Sequence, residues 1–102
     1  MNIIDNTHEH RNAEEFYSSL KEKLEENHQF PEEYLFKFIF PNDNEKLSEI
    51  YRIFDGLQYT INTRESANGK YISTSIQVFV MDAQQVIHLY QEVQKIEGVV
   101  AL

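Results

Sequence analysis

Lys37, Arg64, Tyr71, Ser73 and Ser75 are the residues of this chain whose types and spacing could do chemistry together. Lys37 lies in one strand-like run, Arg64 in a second, and Tyr71, Ser73 and Ser75 at alternate positions of a third. Alternation by two places such residues on one face of a sheet. Two cations beside hydroxyls suit an anionic small molecule held through charge-assisted hydrogen bonds. The competing explanation is that both cations solubilise the face or pair with the acidic helix near the start of the chain.

Other chemistries are poorly served. The chain has no cysteine, so there is no thiol nucleophile and no thiolate metal site. Its three glycines, at 56, 69 and 98, form no phosphate-cradling loop. No serine sits in a G-x-S-x-G turn, and none has a base placed beside it. The pairs Glu14-Glu15, Glu25-Glu26 and Glu32-Glu33 are sequence neighbours, which point about 100° apart on a helix. They are solvated faces rather than an acid/base dyad. The Asp5 carboxylate and the His8 and His10 imidazoles are ligands that transition metals accept, but they fall in a polar stretch with no rigid support, so no metal is expected. His88 lies opposite its helix's apolar stripe and is expected at the surface, while His28 sits in a linker with no visible partner. No catalysis and no cofactor are expected.

The elements that must position the five residues follow from periodicity. Met1 to Arg11 is polar and aperiodic and reads as a disordered tail. Residues 12–33 read as an acidic helix and linker. Asn12 is its expected cap, Phe16, Leu20 and Leu24 form a narrow stripe over 13–27, and Lys21 can pair with Glu25. Residues 34–102 read as the domain proper. Tyr34 to Phe40 is a strand apolar on nearly both faces, hence central. Asn42 is the expected cap of a helix carrying Leu47, Ile50, Tyr51 and Phe54, with Gly56 at its end. Leu57 to Arg64 alternates as a half-buried strand. Asn68-Gly69 predicts a two-residue type I′ turn into a strand over Tyr71 to Val80. Asp82 caps a helix with Val86, Leu89, Tyr90 and Val93 buried, Gly98 closes it, and Val99 to Leu102 is a last short strand.

Charge follows the same division. Residues 1–33 hold 9 acids and 3 bases, against 8 acids and 6 bases in residues 34–102, for a net of -8. No apolar run approaches the ~20 residues of a membrane span, and no signal peptide is visible at the start, so a cytoplasmic location is expected and no membrane partner.

The order helix, then β-α-β-β-α-β, predicts an α+β ferredoxin-like sandwich with an extra N-terminal helix. The expected antiparallel sheet order is 4-1-3-2, with helices on one face. Phe36, Phe38, Phe40, Tyr59, Ile61, Ile72, Ile76 and Val78 then face the helices. Leu35, Lys37, Ile39, Gln58, Thr60, Asn62, Arg64, Tyr71, Ser73, Ser75, Gln77 and Phe79 face away. That second face is half apolar, so the N-terminal helix, a second subunit in a homodimer, or a ligand is expected to cover part of it.

From Phe30 to Leu102 the chain resembles the YbeD-like family of uncharacterised bacterial proteins. The residues that carry this are Phe30-Pro31, Phe36-Lys37, the hairpin from Arg64 to Tyr71 with Ser66 and Gly69, then Ser73 and Ser75, Gln85-Val86 through Leu89-Tyr90, and Val99 to Leu102. The resemblance implies a ferredoxin-like fold close to the ACT regulatory domain, and no particular activity. ACT domains bind small ligands such as amino acids at subunit interfaces, using a Gly-containing loop after the first strand. Here that loop is Pro41-Asn42-Asp43-Asn44, without glycine.

The expected function is therefore that of an ACT-like regulatory or binding module, recognising a small anionic ligand or a protein partner. One alternative is a protein-docking role for the acidic helix. Another is a single-stranded RNA-binding sheet, which shares the topology and stacks bases on strand aromatics. Ser73 and Ser75 occupy positions where that sheet needs an aromatic, and the net charge is -8, so nucleic acid is disfavoured.

Overall fold

A computed structural model describes residues 13–102. Asp5, His8, His10, the tail over 1–11 and the Asn12 cap lie outside the described residues. The first helix, α1, runs over Ala13–Asn27. A turn through His28–Pro31 leads to β1, Glu32–Pro41. Then come α2 (Asn44–Phe54), β2 (Tyr59–Glu65), β3 (Tyr71–Val80), α3 (Ala83–Gln94) and β4 (Val100–Ala101). The sheet order is β2-β3-β1-β4, with every pairing antiparallel. This is the ferredoxin-like α+β arrangement with β1 and β3 in the middle.

The period of two separates the faces cleanly. Phe36, Phe38 and Phe40 of β1 and Ile72, Thr74, Ile76, Val78 and Val80 of β3 are buried under the helices. Phe36 meets both helices that cross this face. Its ring centroid lies 5.5 Å from that of Phe54 on α2 and 4.9 Å from that of Tyr90 on α3. Val86, Leu89 and Val93 complete the α3 stripe, as their spacing predicts.

The N-terminal helix does not cover the open face. Its stripe packs beside the helix layer instead, against α3. Leu24 joins the core cluster, Phe16 is buried, and the Tyr17 hydroxyl donates to Gln94 on α3. A three-residue stripe needs one apolar neighbour, and α3 supplies it; Ile87, outside the α3 stripe expected from the spacing, is buried as well. Lys21 and Glu25 form no ion pair. Among the described residues the Lys95–Glu92 ion pair spans 2.7 Å, and His28 Nδ1 lies 3.4 Å from the Glu32 carboxylate. His28 is therefore not without partners, and its ring also contacts Phe30 and Tyr34.

Three local expectations change. Asp43, not Asn42, caps α2, accepting from the Glu45 amide at 2.9 Å. Asn42 is drawn away because its amide group bonds Glu65 and the Gly69 carbonyl, tying the loop to the β2–β3 hairpin. The Ser66 amide donates to the Tyr71 carbonyl at 2.9 Å, so beyond the strands the hairpin closes through a four-residue loop, 67–70, in which Gly69 alone has positive φ, +72°. Asn68 keeps negative φ because its side chain accepts from both Ser66 Oγ and the Lys70 amide. The register is unaffected, since loops of residues 68–69 and 67–70 share a centre. Finally β2 begins at Tyr59 rather than Leu57, and α3 ends at Gln94, before Gly98. Asp82 caps α3 as expected, accepting from the Gln85 amide at 2.8 Å.

Candidate functional site on the open sheet face

The register arranges the open face in rows. One row crosses the sheet as Lys37 on β1, Ser75 on β3 and Asn62 on β2. The Leu102 amide extends it on the other side by donating to the Lys37 carbonyl at 2.9 Å. The next row holds Ile39, Ser73 and Arg64. Tyr71 stands one row further along, opposite Pro41. In the other direction lie Leu35 with Gln77 and then Glu33 with Phe79.

Lys37, Asn62, Thr63, Arg64, Ser73, Ser75 and Leu102 line one open depression of about 650 Å³. Four of the five expected site residues are thus brought together. Tyr71, 47% exposed, stands on the same face but does not line it. Asn62 was legible as a face residue, being in phase with Arg64. Leu102 was not, because a two-residue strand carries no pattern that sets its register.

The site is polar at its centre and apolar at its ends. Leu35 and Phe79 are 50% and 41% exposed at one end, and Tyr71 occupies the other. Among the described residues, Lys37, Asn62, Arg64, Ser73 and Ser75 have no side-chain hydrogen bond or ion pair. The carboxylate on this face, Glu33, lies two rows from Lys37 and accepts from Gln77 at 2.9 Å. The cations therefore do not pair with the acidic helix, which is packed at the helix layer. His88 is exposed on α3, away from this face. Among the described residues no group of three or more His, Cys, Asp or Glu could hold a metal.

The strongest titration effects lie elsewhere, in the helix layer. The Tyr34 and Tyr90 hydroxyls are 2.9 Å apart. Burial pushes the Tyr90 phenol far above its ordinary range, and the Tyr34 hydroxyl adds to the rise. Burial also raises Tyr34, against a lowering by its bond to Tyr90. These are core groups rather than site groups. The loop after β1 is likewise committed to structure, with Asn42 on the hairpin and Asp43 on α2.

A four-stranded antiparallel sheet in the order β2-β3-β1-β4, with helices on one face and a free polar depression on the other, defines a ferredoxin-like α+β protein. Residues 25–102 match the model of a family described as "Protein of unknown function (DUF493)", and the chain belongs to that family. It is the same family as the YbeD-like one. A solution structure of protein HP0495 from Helicobacter pylori is similar, with a TM-score of 0.60 at 18% identity, covering 74% of this chain and 86% of that one. The crystal structure of the ACT domain from GTP pyrophosphokinase of Chlorobium tepidum matches with a TM-score of 0.50 at 17% identity. That match covers 70% of this chain and all of the other. At these identities the likeness is one of fold. No curated protein matches the chain. Among the described residues no helix is long and apolar enough to cross a membrane.

Proposed function

We propose that this chain is a small regulatory module that works by recognition, binding an anionic small molecule on the open sheet face through Lys37, Arg64, Ser73 and Ser75. One observation carries the reading. In a chain of net charge -8, two cations flank a depression in which five polar side chains have no protein partner among the described residues. Cations placed for solubility alone have no need of hydroxyls between them, whereas an oxyanion uses both. The ACT-like fold supports a regulatory role. Ser73 and Ser75 have no carboxylate or imidazole side chain in their rows to take a proton, which supports binding rather than bond-making.

The test is a thermal-shift screen of organic acids, amino acids and nucleotides. A ligand of the native state raises the melting temperature by mass action. A hit that disappears when Lys37 and Arg64 are both changed to Gln supports the reading. A full panel without a hit, or a hit untouched by the double change, refutes it.

A further inference from the structure

We infer, resting on that reading, that the ligand is a two-headed anion: a small molecule with two separate anionic groups held a few ångströms apart, as in a four- or five-carbon dicarboxylate. The argument is the diagonal on which the four groups lie. Lys37 is paired with Ser75, Ser75 is two residues from Ser73, and Ser73 is paired with Arg64. The cations thus stand two strands and two residues apart, with both hydroxyls between them. Strand spacing and rise put their Cα atoms about 12 Å apart. Side chains stand roughly perpendicular to a sheet. Each charged head holds an oxygen at about 2.8 Å, which leaves roughly 4–6 Å between the two anionic centres.

A single compact anion would need both side chains to lean inward over the serines, whereas a two-headed one meets each cation where it stands. The serine hydroxyls then donate to the inner oxygens, and Asn62 offers a further donor beside Ser75. Arg64 presents a planar fork that suits a carboxylate or phosphate edge, and Lys37 supplies a point charge. A single head anchored on either cation would leave the other without a counter-charge.

The experiment is titration of the full chain, ¹⁵N-labelled, with pyrophosphate, malonate, succinate and glutarate, and with inorganic phosphate and acetate as single-headed counterparts. Amide shifts at Ser73, Ser75 and Arg64 report the site. At least one two-headed probe is expected to bind roughly tenfold or more tightly than its single-headed counterpart. Lys37→Gln and Arg64→Gln should each abolish that advantage, leaving the two kinds of probe alike. Which arm binds tightest separates phosphate from carboxylate chemistry and sets the spacing. Equal affinity for one-headed and two-headed probes, with shifts at these amides, overturns the two-headed inference and leaves the anion site standing. No shifts at these amides with any probe overturns both. Both side chains project from an exposed face, so the variants keep the core, and unchanged spectra elsewhere verify this.

Discussion

Leu24→Ala should destabilise the whole protein, because α1 is held in the same core as the sheet. Leu24 is 5% exposed and belongs to the cluster that contains Phe36, Val86 and Tyr90. The change removes three carbons, worth about 2.4 kcal/mol at ~0.8 per methylene. A residual cavity adds to this, and core Leu→Ala changes span about 2–5 kcal/mol. Because α1 lies on the outside of the helix layer and can settle inward, the lower part of that range applies, about 2–3 kcal/mol. With a urea dependence of roughly 1–3 kcal/mol per molar, the midpoint should fall by roughly 0.7–3 M. Urea melts followed by far-ultraviolet circular dichroism measure it, with Glu25→Ala as an exposed control on the same helix, expected within about 0.5 kcal/mol of the parent. If Leu24→Ala is as mild as Glu25→Ala, α1 is not docked on α3. Its stripe would then be free for another partner, and the packing reasoning would be wrong.

Three further perturbations test other parts of the structure. Tyr90→Phe leaves the Tyr34 hydroxyl half-buried without its 2.9 Å partner and should cost about 1 kcal/mol near neutral pH. Burial raises both phenols above 10.0, so the unfolded chain loses these protons first; stability is full below pH 10 and falls as pH climbs past it. Denaturant midpoints between pH 8 and 11 should show that fall, and Tyr90→Phe should flatten it. Thr74→Val replaces a fully buried hydroxyl that has no hydrogen-bond partner with a methyl of similar shape, and should raise stability by about 1 kcal/mol in the same melts. Asp82→Ala removes the 2.8 Å bond to the Gln85 amide at the start of α3 and should lower stability by about 1 kcal/mol; a loss near zero would mean that the cap is idle.

Much of the fold could be read from residue order because alternation by two survives into three dimensions almost unaltered. Phe36, Phe38 and Phe40 are buried, and Leu35 and Lys37 are exposed, as parity requires. The same parity placed Lys37, Arg64, Ser73 and Ser75 on one face. Making them neighbours needed register, and Asn68-Gly69 supplied its centre even though the turn type differs. Parity says nothing about where a helix leans: Phe16, Leu20 and Leu24 announce that α1 has an apolar side, but not that α3 receives it. The choice between Asn42 and Asp43 as cap was equally unreadable, because it depends on Glu65 and Gly69, more than twenty residues away. Tyr71 shares the face but lies one row beyond the depression, a distinction that only the shape of the surface can make.

The two faces of this sheet divide the protein's tasks. Burial under α2 and α3 holds the fold, and each large apolar side chain there is worth about 1.5–3 kcal/mol. The open face contributes little of this, so it can keep cations and hydroxyls without loss of the core. Polar groups left in water have no desolvation penalty until something covers them. Lys37 and Arg64 therefore stand on this face at almost no structural cost. Because the residues proposed to bind lie out of phase with the residues that fold, changes at Lys37 or Arg64 and changes at Leu24 or Tyr90 should act independently. That independence is what allows the binding reading to be judged on binding alone.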